Sequence, residues 1–484
     1  MRAAWIILML PLLWSLARPS MADVTDADRI RPYANNPRYW QYKGEPVLLV
    51  GASATDHIFL LDDLEAHLDE IQAVGVNYVR NTMSQREGQD LKPHKLLPDG
   101  KFDLDQWNDE YWRRFQDMLE WTAEREIIVQ IEVWDRFDFT DASEWNIWQK
   151  SPWRPAKNVN YTTEESGLDD RYPDHPGDDK QPFFHTIPGM PRYEAKLDLI
   201  RRHQEAFVAN MLSYSLDHGH VLYCMDNETS TPAAWGQHWI QFIKARATER
   251  GVTVCTTDMF ADAFDADEAV HTPIIFNDPE HYMFVDVSQV NSQIYDDTHW
   301  ERLQSLLQLV NAHPRPTNHV KIYHGGFSTW GSGAPEDGIE RFWRDIIGGS
   351  AAVRFHRPSS GSGLTVTTEG SLKAARILDG LIRLWDTTPH MELLSDRESN
   401  EAYLTANPGE AYALYFTHGG SVGLDLTDAP GTFDITWVSV AMGITTRTTS
   451  AQVYRLTDNT IQGGGVVTLS APYKGGWVAA IVKQ

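Results

Sequence analysis

Cysteine is nearly missing from this chain: Cys224 and Cys255 are the two in 484 residues. That excludes a disulfide-built scaffold, and their β-branched surroundings suggest two buried strand thiols rather than a bridge. Positive charge is scarce too, with 42 Lys and Arg against 67 Asp and Glu and a formal net charge of −25. Such a surface repels polyanions at long range, so nucleic acid is excluded as a partner. Beyond the N-terminus there is no apolar run long enough to span a bilayer. The N-terminal run itself, Ile6 to Leu16, follows Arg2 and ends at Ser20-Met21-Ala22. Residues 1–22 therefore read as an export signal, implying a secreted or periplasmic protein with no membrane segment after cleavage.

What is abundant is tryptophan, with 18 residues, and aromatics reach 11%. Indole is an expensive core filler but stacks well on the flat face of a sugar ring. Hydrophobic residues at 42% and charged residues at 23% are ordinary for a globular protein. The length suits one α/β barrel of about 250 residues with a smaller domain beside it.

From Val47 to Trp385, short β-branched runs alternate with amphipathic stretches. Eight strands are expected, near Val47–Val50, Val76–Val79, Ile127–Ile131, Val221–Met225, Val252–Cys255, Phe284–Val287, Val320–Tyr323 and Ala351–Phe355. Helices are expected near Leu61–Val74, Trp107–Glu124, Tyr193–Leu216, Trp235–Arg250, Trp300–Asn311, Gly338–Ile347 and Leu372–Trp385. Repeated strand-helix units imply a parallel sheet, and eight strands close a (β/α)8 TIM barrel. A doubly wound open sheet competes, but no glycine-rich dinucleotide fingerprint follows the first strand. After Trp385 the helical period stops. Short runs such as Ala411–Phe416 and Thr432–Val438 alternate with Gly419-Gly420, Pro430-Gly431 and Gly463-Gly464-Gly465. That pattern predicts an antiparallel β-sandwich. The expected division is 23–387 for the barrel and 388–484 for the sandwich, with a strand pair near Tyr39–Lys43 capping the barrel bottom.

One connection is anomalous. Residues 136–192 separate the third strand from its helix and contain Trp145, Trp148, Trp153, Tyr161, Phe183 and Phe184. Long connections on this barrel face are usually functional, so a substrate-binding wall is one expectation and a local aromatic core the other.

The strongest chemical signal is Met225-Asp226-Asn227-Glu228 at the end of the fourth strand. Cleaving a glycosidic bond needs a carboxylic acid for the departing oxygen and a hydrogen-bonding group for a sugar hydroxyl. Glu228 suits the first role and Asn227 the second.

With Tyr78-Val79-Arg80-Asn81 at the second strand end, this ending resembles the superfamily of barrel glycoside hydrolases in which Asn-Glu closes strand four. Arg38 to Val47 resembles the opening of apiosidase-like hydrolases, and Gly423–Leu426 and Trp437–Gly443 resemble the sandwich often fused to them, nicknamed collagen-binding. The resemblance implies a glycan substrate and a glutamate nucleophile ending strand seven. Here that strand reads Lys321-Ile322-Tyr323-His324, with His324 where the carboxylate is expected.

Strict strand alternation points Gln130, Glu132 and Trp134 into the barrel, and Asp258 lies on the strand following the Asn-Glu ending. Glu132 and Asp258 are thus the candidates for a second catalytic carboxylate. Asp286 follows Phe284 on strand six, and Asp135, Asp138 and Glu336 are weaker candidates. For each, a structural partnership with Arg80, Arg136 or Arg354 is the alternative. Arg80, Trp134, Asp135, His57, His324 and His356 are candidate substrate contacts. A metal site from His324, His356 and Asp286 has no support in spacing, so neither metal nor cofactor is expected. The sequence gives no oligomeric state. The reading is a secreted glycoside hydrolase acting on a plant, algal or microbial glycan; a non-catalytic carbohydrate-binding barrel and a polysaccharide lyase are the alternatives.

Overall fold

The computed structural model describes residues 25–84, 91–141, 147–174, 181–261, 271–290, 294–323, 332–358, 361–441, 443 and 460–484. The export segment 1–22, Trp145, His324 and Met442 lie outside them.

Eight strands form one all-parallel sheet: β1 Leu49–Gly51, β2 Tyr78–Thr82, β3 Ile128–Asp135, β4 Val221–Asn227, β5 Cys255–Thr257, β6 Val285–Asp286, β7 Thr317–Ile322 and β8 Ala352–Phe355. Their order is β5-β4-β3-β2-β1-β8-β7-β6. The seam between β5 and β6 is bridged by Met283 N donating to Thr256 O at 2.8 Å and Thr257 Oγ1 donating to Phe284 O at 2.6 Å. This is the (β/α)8 barrel.

The helices α1 Leu64–Ala73, α2 Asp109–Glu124, α3 Asp198–Ser215, α4 Ala234–Glu249, α5 Thr272–Asn277, α6 Asp296–Val310, α7 Pro335–Gly348 and α8 Val366–Leu381 follow their strands in turn. Helix α2 shows why they form. Asn108 caps it by accepting from Glu110 N at 3.2 Å, and Tyr111, Trp112, Phe115, Met118 and Leu119 make one buried stripe at helical spacing. Helix α5 has six residues, too few to show a period, and the sequence reading missed it.

Beneath the barrel, the strands Asn36–Tyr42 and Glu45–Val47 form a hairpin that carries Trp40 into the interior. Its indole Nε1 donates to Asn318 Oδ1 at 2.9 Å, and its ring meets Phe284 edge-on at 5.3 Å. The expected bottom cap is therefore a plug. Cys224 and Cys255 are free and buried on adjacent strands, Cys255 standing opposite Leu222 rather than Cys224.

Beyond the barrel, antiparallel strands form two sheets around their own core, which includes Leu404, Leu414, Phe433, Trp437 and Ile481. This sandwich sits on α6 and α7. Trp343 stacks on Tyr415 at 5.7 Å, Tyr403 lies 4.9 Å from Trp300, and Arg344 Nη1 donates to Asn400 Oδ1 at 2.8 Å. Among the described residues, no helix is long and apolar enough to cross a membrane.

The described aromatic residues of the long loop are core, not wall. Phe139 stacks on Phe183 at 3.9 Å, Trp153 meets Phe183 at 5.2 Å, and Phe184 meets Trp235 at 5.3 Å. Trp148, Trp153, Tyr161, Phe183 and Phe184 are all buried.

Candidate active site

Strict alternation fails at the strand tips, and that failure builds the site. On β3, Glu132 faces inward, Val133 and Trp134 both turn toward the helices, and Asp135 turns back in. Trp134, expected among the sugar contacts, instead packs against Phe207, Phe183 and Trp239 at 5.3 to 5.5 Å. Its neighbour across the ladder, Asp226 of β4, turns outward with it, while Asn227 faces inward beside Asp135. On β7 the register shifts between His319 and Ile322. The irregularity re-aims the strand, so Val320 and Lys321 both point inward.

Asn227 and Lys321 thereby reach the axis of the barrel. Lys321 Nζ donates to Asn227 Oδ1 and to Glu228 Oε1, each at 2.6 Å. Asn227 Oδ1 also accepts from Arg80 Nη2 at 2.9 Å, and its amide donates to Asp135 Oδ2 at 3.0 Å. Arg136 Nη2 lies 3.7 Å from Glu228 Oε2. Glu228 retains 19% side-chain exposure, whereas Lys321 retains 1%.

Glu228 holds its place by a backbone kink. Its φ is 53°, the left-handed region that costs a non-glycine residue on the order of 1–3 kcal/mol. The chain is re-anchored at once: Thr229 N donates to Met259 O at 2.9 Å, and Ala261 N to Thr229 O at 2.8 Å. Burial pulls Lys321 below its usual basicity, and Glu228 opposes that by favouring the ammonium.

The two acids expected to accompany Glu228 are withdrawn from the rim. Glu132 is fully buried and forks onto Arg80, with Nε donating to Oε1 at 2.6 Å and Nη2 to Oε2. Asp258 points outward. Its Oδ1 accepts from Asp226 N at 3.0 Å and Met259 N at 2.9 Å, and its Oδ2 lies against Gly236 of α4. Burial raises Asp258 to about 7, and the same cause with Asp258 alongside lifts Asp226 well above the usual carboxylate range. Asp286 is also interior, accepting from Gln130 Nε2 at 3.0 Å. Glu336 opens α7. Asp138 accepts from Ser84 Oγ at 2.7 Å, beside a cavity of about 30 Å³ that Asp135 and Trp153 also line.

A second centre that alternation did not reveal is Asp56, fully buried after β1. It receives Arg80 Nη1 at 2.8 Å and Arg354 Nη2 at 2.9 Å, with Arg357 Nη1 at 3.4 Å and His356 Nε2 at 3.8 Å. Burial works to raise Asp56, but the groups around it, the Arg80 guanidinium foremost, hold it well below the ordinary carboxylate range. His57 is buried next to it in the chain. Arg80 and His356 thus join the network, Arg80 as its hub, while His324 falls outside the described residues. The sequence reading missed Asp56 and the role of Lys321. A lysine among Val320 and Ile322 was the one available signal, because an interior ammonium demands a carboxylate.

Residues 83–302 match a family model described as a domain of unknown function, DUF6298. No curated protein matches the chain in sequence. Among solved structures, the chain is similar to a glycoside hydrolase family 5 structure from Bacteroides vulgatus, with TM-score 0.62 and 11% identity over 96% of this chain and 94% of that one. It is also similar to a structure described as a glycoside hydrolase, with TM-score 0.63 and 10% identity over 96% of this chain and 98% of that one. At such identities the likeness shows the fold alone, the barrel.

Proposed function

We propose that the protein is an exported glycoside hydrolase whose proton-transfer centre is Glu228 paired with Lys321. The observation that carries this reading is the partly exposed Glu228 carboxylate, held at the end of β4 on a strained backbone and 2.6 Å from a buried lysine. Residues 1–22 are the export signal, 23–387 the catalytic barrel and 388–484 an accessory sandwich in this proposal. The motifs resembling apiosidase-like hydrolases support a glycosidic bond of a plant, algal or microbial glycan as the target.

The chemistry follows from the pair. Carboxylate and ammonium together carry one mobile proton. Burial weakens the lysine's hold on it, so the proton passes through Glu228 to the departing glycosidic oxygen as the C–O bond breaks. The attacking water then returns a proton to the pair. Asn227, fully buried and fixed by Arg80 and Asp135, holds Lys321 in place beside Glu228. Asp135, buried like Glu132 and Asp258, is a positioning residue: it holds Asn227, and through Asn227 it steadies Lys321 against Glu228. His324 and Arg136 are proposed contacts on the glycan.

A catalytically silent glycan binder is the second reading, favoured by the burial of Glu132 and Asp258. A glycan panel separates the two. New reducing ends that vanish in Glu228→Gln support the hydrolase. Unsaturated products identify a lyase, and binding without turnover identifies the silent barrel.

A further inference from the structure

The bend that sends Lys321 into the barrel leaves His319 facing the other way, between α6 and α7. There it meets His299 of α6 and Asp345 of α7. One donor atom from each of the three lies within 4.8 Å of the others, and all three side chains are buried. His319 Nδ1 is 2.6 Å from Asp345 Oδ2, and His299 Nε2 is 3.9 Å from Asp345 Oδ1. Both ring nitrogens of His299, Nε2 of His319 and Oδ1 of Asp345 lack a hydrogen-bond partner among the described residues. Buried polar atoms are nearly always satisfied, and four orphans in one cluster of three residues ask for an occupant.

We propose that His299, His319 and Asp345 bind one divalent transition-metal ion of the zinc class. Two imidazoles and a carboxylate, brought from a strand and two helices, match three ligands of a tetrahedral site with water in the fourth position. The donor spacing suits this, because ligands about 2.0 Å from a tetrahedral zinc stand roughly 3.3 Å apart. Arg344 has its own counter-ion in Glu340 at 2.9 Å, which leaves the Asp345 charge for the metal. The ion would clamp β7, α6 and α7 beneath the seat of the sandwich, where the neighbouring Trp343 stacks on Tyr415.

The test uses the full chain, purified without a polyhistidine tag, and measures transition-metal content by mass spectrometry. The stripped protein is then titrated with Zn2+ and, separately, with Co2+. One ion per chain, a melting temperature that rises with Zn2+, and the visible absorption of tetrahedral Co2+ are expected. His299→Gln and Asp345→Asn, which preserve volume, should each abolish the uptake and the thermal response. Metal-free wild-type protein whose melting ignores Zn2+ overturns the site. Full metal content in His299→Gln overturns it equally, because the ion then lies elsewhere. Should the variants fail to fold, wild-type metal content and the Co2+ spectrum decide.

Discussion

Lys321 of β7 and Glu228 at the tip of β4 meet at 2.6 Å across the barrel, although their strands are not neighbours in the sheet. The contact joins a strained glutamate of the rim to an ammonium that is otherwise sealed from water. A buried lysine needs such a carboxylate, and the carboxylate gains a proton source in return.

That relationship predicts a matched pair of kinetic losses. Glu228→Gln should lower kcat on substrates with poor leaving groups by about 10²–10⁴-fold and spare activated aryl glycosides far more. Lys321→Met should lower kcat similarly and shift the pH profile, since the proton store is gone. Steady-state rates on both substrate types check this; equal losses on both would count against a proton-transfer role.

Arg80 is predicted to be structural first. Arg80→Met leaves Asp56 and Glu132 buried without their shared cation, a loss of about 3–5 kcal/mol. Arg80→Lys should recover little, because an ammonium cannot fork onto Glu132. Urea unfolding monitored by tryptophan fluorescence measures both.

The Asp226–Asp258 pair should make stability pH-dependent in a definite direction. Asp258 titrates near 3.8 when unfolded and at about 7 when folded, so the native state holds the extra proton between those values. Its contribution is complete below about pH 4 and is lost as pH rises through about 7. Asp258→Asn mimics the protonated form and should flatten the decline. Melting temperature across that range, wild type against variant, reads the difference.

Gly236 is required by the same pair. A Cβ there would lie 2.0 Å from Asp258 Oδ2. Gly236→Ala should therefore destabilise the protein by about 1–3 kcal/mol, although alanine favours a helix by about 1 kcal/mol. Combining it with Asp258→Gly should restore part of the loss, as a double-mutant cycle would reveal.

Legibility of the fold and of the site followed different rules. Trp112, Phe115 and Leu119 announced a helix by spacing, and Val129 and Ile131 a strand, because those periods belong to the local backbone. The Asn-Glu ending placed Asn227 and Glu228 at the rim for the same reason. Trp134 misled because inward facing was extrapolated to a strand tip where the alternation breaks, and Lys321 went unnoticed because only a register shift turned it inward.

By itself the chain sequence determined the alternation of strands and helices, the closing number of eight, the β tail and the glutamate at the end of β4. These depend on hydrophobic period and turn chemistry, which each segment carries alone. Only the tertiary structure decided that Glu132 belongs to Arg80, that Asp258 faces a helix glycine, and that Lys321 and Glu228 meet. Charges settle where burial forces them to find partners, and those partners come from segments about fifty to a hundred residues away in the chain.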